Sequence, residues 1–248
     1  MPQVQTPAQY LGGERNSVVK ARESLKGRVC LATPDAYTIG MSNHGLQVLY
    51  DAVNRRADWA CERVFAPWPD MERLLREHDV PLYSLETFTP LFEFDIVGFT
   101  LQYDLGYSNV LTILDLGRIP LHVTARRLDD PLIIAGGPCA ENPEPMADFI
   151  DAFVIGDGEE TLPAVADAWL EIRASAGSRS EALQALAARF PWLYVPSCYA
   201  LEEHDGRLIP TARDDTIPQA VRPAVVADLD GIPLPPAPIV PLIRTVQD

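Results

Sequence analysis

The sequence predicts an α/β fold built on a doubly wound parallel sheet. Two observations carry that prediction. Short apolar runs of strand length recur along the chain, and stretches with helical apolar spacing separate them. Several of these runs also stop at glycine or proline, most plainly the two in PLIIAGGPCAENPEPMADFIDAFVIGDGEET, residues 131–161. There Leu132 to Ala135 ends at Gly136-Gly137-Pro138, and Ala152 to Ile155 ends at Gly156-Asp157-Gly158. Runs this apolar suit strands buried on both faces. Parallel strands that end in glycine loops place a ligand crevice at their carboxyl ends.

Residues 1–27 are polar and mixed; the first 24 read as an extended arm that turns at Gly12-Gly13, the alternative being a loosely attached terminus. Residues 28–33 form the first strand, with Val29, Cys30, Leu31 and Ala32 as its apolar body. Ser42 or Asn43 caps the next helix, whose Leu46, Leu49, Tyr50 and Val53 share one face. Gly45 lies in its first turn, where a ligand or another backbone can come close. Residues 62–66 read as a second, shorter strand, and Pro69 sits at the start of a helix. Residues 95–100 form the third strand, and Ser108 or Asn109 caps the helix that ends at Gly117. Residues 119–130 are a long link, with an extended piece at 121–123. The fourth and fifth strands are the two runs described above. Helices follow from about Glu160 and over residues 179–190. A hairpin then pairs residues 193–203 with 207–212 through Asp205-Gly206. From Ile217 onward proline dominates, which makes an extended, semi-rigid strap.

Five strands alternating with helices fit the flavodoxin-like order 2-1-3-4-5. The expected organisation is an arm over residues 1–24 and an α/β domain over 25–175. A helix and hairpin over 176–216 and a proline-rich linker over 217–248 follow. In that order the loops at 34–45, 100–108, 136–143 and 156–161 line the crevice.

The totals narrow the function. Twenty Lys and Arg stand against 35 Asp and Glu, a formal charge of −15, which repels phosphate backbones and argues against nucleic-acid binding. No apolar run is long enough to span a bilayer, and the first residues carry no secretory apolar region, so the cytoplasm is expected. Cys30, Cys61, Cys139 and Cys198 are too widely spaced for a zinc or iron–sulfur loop. Only Cys139 lies at the expected crevice. A dinucleotide fingerprint after the first strand is absent, as are a P-loop and a nucleophile elbow. What remains is a crevice with a glycine floor and a rim of amides and acids, suited to a flat, neutral or cationic ligand or to docking of another domain. A mouth filled by Tyr37, Gln102 or Tyr103 would favour docking.

AGGPCAENPEP followed by FVIGDGEET resembles the glycine signature of the cobalamin-binding-type N-terminal domain of radical S-adenosylmethionine proteins. IGMSNHGLQVLY, YLGGERNS, RVFAPWPDME and FTLQYD are similar to segments of the same group. The resemblance implies a flavodoxin-like, cobalamin-binding-like domain that holds a cofactor or docks on a catalytic domain of the same longer protein. It also implies a [4Fe–4S] cluster and S-adenosylmethionine. Those are expected only in a missing C-terminal domain, because the C-x-x-x-C-x-x-C motif does not occur here. The D-x-H-x-x-G motif that supplies a histidine to cobalamin is absent too, since the loop reads Asp35-Ala-Tyr-Thr-Ile-Gly40. Cobalamin would then be held without a histidine ligand. This chain by itself is expected to be non-catalytic and to hold no metal. An interaction module with no small-molecule ligand is the alternative.

The expected cofactor-binding residues are Gly136, Gly137 and Pro138 on one side of the crevice and Gly156, Asp157, Gly158 and Glu159 on the other. Ser42 and Gly45 close the far side. The competing explanation is that these glycines only make tight turns, while Glu159 and Glu160 favour a helix N-terminus through its dipole.

Overall fold

The computed structural model describes residues 4–243. The expectation attached to the C-terminal segment lies outside the described residues from residue 244 onward. A mixed six-stranded sheet forms the centre, in the order β2-β1-β3-β4-β5-β6. Its strands are β1 (Gly27–Thr33), β2 (Trp59–Phe65), β3 (Ile96–Thr100), β4 (Leu132–Gly136), β5 (Ala152–Val154) and β6 (Leu193–Tyr194). The first five run parallel, and β6 joins β5 antiparallel through Phe153 opposite Tyr194.

That sixth strand corrects the expected count of five. Leu193 and Tyr194 belong to the main sheet and not to the hairpin, which pairs β7 (Tyr199–His204) with β8 (Arg207–Ala212). Two residues are too few to show an alternation, so nothing local separates them from the hairpin that follows. The Asp205-Gly206 turn is where the sequence placed it, and both residues have positive φ, as a type I′ turn requires.

The helices are α1 (Tyr37–Gly40), α2 (His44–Asn54), α3 (Pro69–Glu77), α4 (Tyr107–Leu116), α5 (Thr161–Ser175) and α6 (Arg179–Arg189). Asn43 caps α2, its side chain accepting from the Leu46 N–H at 2.9 Å. The helix α4 starts at Gly106 without a side-chain cap, so neither Ser108 nor Asn109 does that work. Asn109 instead donates to the Pro34 carbonyl at 2.8 Å. Residues 121–123 do not form a strand, and a single 3-10 turn runs over Val123–Ala125. The helices α2 and α5 pack together, as do α3 and α4, and every residue of β1 and β2 is buried. A sheet covered on both faces explains why its strands are near-continuous apolar runs.

The strand β2 breaks that rule and is longer than expected, because its charged residues are paired inside the fold. Glu62 accepts from Arg28 at 2.8 Å, and from Ser84 and Thr87 of the following connector. Arg63 donates to Glu86 at 2.6 Å. It also forms an ion pair with Glu14 at 3.2 Å, although the two facing atoms are not aligned as a hydrogen bond. Burial pushes the Arg63 guanidinium toward losing its proton, but the two carboxylates outweigh it and hold the charge.

Glu14 comes from the N-terminal arm, which is therefore not loosely attached. Tyr37 donates to Glu14 at 3.1 Å, and the Lys20 ammonium donates to the carbonyls of Asn54, Arg56 and Trp59. Gly12 has φ +59°, and a Cβ there would lie 1.9 Å from the Leu85 carbonyl oxygen, so the arm fits only as glycine. A third ion cluster, Asp151 between Arg126 and Arg179, ties the link before β4 to the start of α6. Long stretches without regular structure are thus tied to the sheet by buried charges, whose desolvation cost only their partners offset.

The proline-rich strap is extended and lies on the domain at several points. Ala224 bridges Gly156, Arg55 donates to the carbonyls of Pro233 and Leu234, and Val240 bridges Arg15.

Candidate functional site

The carboxyl ends of β1, β3, β4 and β5 open onto one cleft of about 250 Å³. Parallel strands deliver their following loops to the same edge, so residues far apart in sequence meet there. Gly45, Gly136, Gly137, Gly156, Asp157, Gly158 and Glu159 all line it. Ser42 and Pro138 do not. Ser42 borders an adjoining cleft, and Pro138 begins a 3-10 turn, Pro138–Glu141. Cys139 is half-buried and is not among the lining residues.

The glycines divide by what a side chain would meet. A Cβ at Gly136 has the Val154 oxygen at 3.8 Å as its nearest neighbour, so this position faces free space on the cleft floor. Gly45 is similarly free except for the Asn43 side chain at 3.3 Å. Gly137, at φ +98°, would bring a Cβ to 2.9 Å from the Leu101 carbonyl oxygen. Gly156, also at φ +98°, would place one 2.2 Å from the Ala224 oxygen. Gly137 and Gly156 are therefore required by the chain's own packing, as the competing explanation held. Gly136 and Gly45 are not.

Asp157 has a role the sequence did not disclose. Its carboxylate accepts from the Val226 N–H at 2.8 Å, and its own N–H donates to the Ala224 carbonyl at 3.0 Å. It holds the strap beside the cleft. Thr161 donates to the Asp157 carbonyl at 2.7 Å and fixes the loop at the start of α5.

The adjoining cleft, of about 240 Å³, is lined by Asp35, Thr38, Ser42 and Tyr103 among others, and shares Asn43 and Gln102 with the first. Tyr103 donates its hydroxyl to one oxygen of Asp35. That bond to a carboxylate, helped by burial, raises the Tyr103 hydroxyl above its usual range and keeps it a donor. Tyr37 does not fill the mouth: it is buried, and its ring packs edge-on against Phe65. Neither cleft is lined by lysine or arginine, while Asp35, Asp157 and Glu159 supply carboxylates. Among the described residues, no three of His, Cys, Asp or Glu gather as a metal site.

The sequence profile of the N-terminal domain of radical SAM proteins matches residues 45–196, more than half of the chain. The chain belongs to this family. The matched stretch runs from α2 past β6, so it contains most of the cleft. Over 88 residues the chain is 36% identical to an uncharacterized protein of Methanocaldococcus jannaschii. That stretch is 34% of this chain and 18% of the archaeal protein, so the chain spans under a fifth of the curated relative it matches. No solved structure matches. No helix among the described residues is long and apolar enough to cross a membrane.

Proposed function

We propose that this chain is the ligand-holding, non-catalytic N-terminal module of a cytoplasmic radical SAM protein, flavodoxin-like in its 2-1-3-4-5 parallel order. The observation that carries the reading is the cleft at the strand ends, with Gly136 and Gly45 leaving room on its surface. The expected division into arm, α/β domain, helix with hairpin, and linker is part of the same proposal. The missing rim cations speak against a phosphate-rich ligand, nucleic acid included.

Cobalamin is the cofactor the family resemblance implies, and the residues fit its ring but not its metal. A flat ring face suits the floor at Gly136, and the ring's amides suit Asn43 and Gln102. When bound, the corrin supplies cobalt-centred alkyl or radical chemistry. The metal itself finds no histidine: Tyr37 stands where D-x-H-x-x-G has its histidine, and its hydroxyl goes to Glu14. His44 is exposed on α2 and does not line the cleft. The cleft is also slightly below the range of about 300–1,000 Å³ usual for small-molecule sites, so a corrin would rest across its mouth. Gly136, Gly45, Asn43 and Gln102 would hold it.

S-adenosylmethionine cleavage belongs, in this proposal, to a catalytic domain of the same longer protein. Three closely spaced thiolates are needed to leave one cluster iron free for substrate. Here Cys30 and Cys61 are fully buried, and burial pushes both thiols well up. Titrating the purified chain with cobalamin, read by visible spectrum and co-elution on gel filtration, tests the cofactor. Binding that Gly136→Val abolishes, with unchanged circular dichroism, supports it. Failure to co-elute refutes it. A second reading, docking of a partner domain, draws on Ile39 and Tyr103, which line the adjoining cleft, and on Leu105 in the 3-10 turn that follows; they are 53%, 42% and 83% exposed. Under that reading Leu105→Asp weakens association with the catalytic domain and leaves cobalamin untouched.

A further inference from the structure

Asp35 has unspent hydrogen-bonding capacity beside the cleft. It sits at the carboxyl end of β1 and is nine-tenths buried, yet it borders the adjoining cleft. One carboxylate oxygen takes the Tyr103 hydroxyl. The other receives no hydrogen bond or ion pair from the described residues. That oxygen is open to the adjoining cleft, where it can accept from water or from a ligand hydroxyl.

The two clefts adjoin each other. They measure about 250 and about 240 Å³ and share Asn43 and Gln102. Neither alone reaches the lower bound of about 300 Å³ for a small-molecule site, but joined they enter the range. The shared amides are half spent. The Asn43 oxygen is committed to the Leu46 N–H, which leaves its amide N–H groups. The Gln102 nitrogen is committed to Thr100, which leaves its carbonyl oxygen. One donor and one acceptor are what the edge of an aminopurine matches, with its exocyclic amine beside a ring nitrogen.

We propose that the two clefts are one site for a phosphate-free nucleoside. Its base lies over the glycine floor, read by Asn43 and Gln102, and its ribose hydroxyls donate to Asp35. Each part of the ligand answers a separate feature. The floor at Gly136 admits a flat ring, a carboxylate binds vicinal hydroxyls as acidic residues do in dinucleotide sites, and the all-acidic rim rejects a phosphate. This inference rests on the reading that the cleft holds a small molecule, and it names the class.

The test is calorimetric titration of the full chain with adenosine, adenosine monophosphate and 2′,3′-dideoxyadenosine. Adenosine is expected to bind, with the monophosphate and the dideoxy compound each about tenfold weaker or worse. Asp35→Asn is expected to bring adenosine down to the level of the dideoxy compound, and Tyr103→Phe to weaken it less. The dideoxy probe keeps the test valid if Asp35→Asn fails to fold. Equal binding of adenosine and its monophosphate overturns the proposal, as does equal binding of the dideoxy compound. Absence of any nucleoside binding overturns it too. A chain that binds cobalamin but no nucleoside keeps the broader reading and loses this one; a chain that binds neither loses both.

Discussion

Replacing Gly156 by alanine separates a strap-holding glycine from a ligand-holding one. The new Cβ would lie 2.2 Å from the Ala224 oxygen and 2.6 Å from the Ala224 nitrogen, both backbone atoms that no rotamer change can move. An L-residue at φ +98° carries about 1–2 kcal/mol of backbone strain in addition. The strap must therefore lift. Lifting breaks the bond from Ala224 N–H to the Ile155 carbonyl, at 2.8 Å, and that from Asp157 N–H to Ala224, at 3.0 Å. It also breaks the bond from Val226 N–H to the Asp157 carboxylate. At about 0.5–1.5 kcal/mol each, the three bonds together with the strain bring the cost to roughly 2.5–6.5 kcal/mol. Hydrogen exchange resolved by residue is the assay. The amides of Asp157, Ala224 and Val226 should lose protection while those of β1 and β3 keep it. Unchanged protection at Ala224 and Val226 would refute the reasoning.

Gly136→Ala is expected to shift the unfolding midpoint only slightly, since its Cβ meets nothing closer than 3.8 Å, yet to weaken any ligand seated on the floor; equilibrium denaturation and ligand titration read the two effects separately. Arg63→Met should cost about 3–5 kcal/mol in denaturant unfolding, because Glu14 and Glu86 would be left buried without their counter-ion. Burial works to raise the Asp167 carboxyl, but hydrogen bonds from Arg56, Lys26 and Trp59 win and hold it down at about 2. A depressed carboxyl contributes stability above its ordinary value near 3.8, and that contribution is lost as pH falls toward 2. Asp167→Asn should therefore flatten the acid limb of the stability–pH curve. The change should be modest, since the group is 41% exposed and solvent screens it.

Much of the cleft was legible because its signals are local. Gly136-Gly137 and Gly156-Asp157-Gly158 follow apolar runs directly, and a strand end followed by glycine is visible within ten residues. Parallel order then brings such loops together, which is why seven of the nine expected residues line one cleft. The two that do not, Ser42 just before the lining residues of its loop and Pro138 just after those of its own, lie where side-chain direction depends on turns that composition does not specify. The role of Asp157 was hidden because its partner, Val226, lies 69 positions away in a segment that reads only as proline-rich.

By itself the sequence determined the five parallel strands, the hairpin turn, the absence of a cluster-binding cysteine motif and the family signature. All of these are written in residue types and short spacings. The tertiary structure decided that the N-terminal arm delivers Glu14 to Arg63, that β6 extends the sheet, and that the strap is clamped at Gly156 and Asp157. It also decided that Asp35 faces a cleft with one oxygen free. The reason is physical. Periodicity reports which side of an element is buried, but a buried charge or an extended strap is placed by its long-range partner, and only the folded chain brings the two within hydrogen-bond reach.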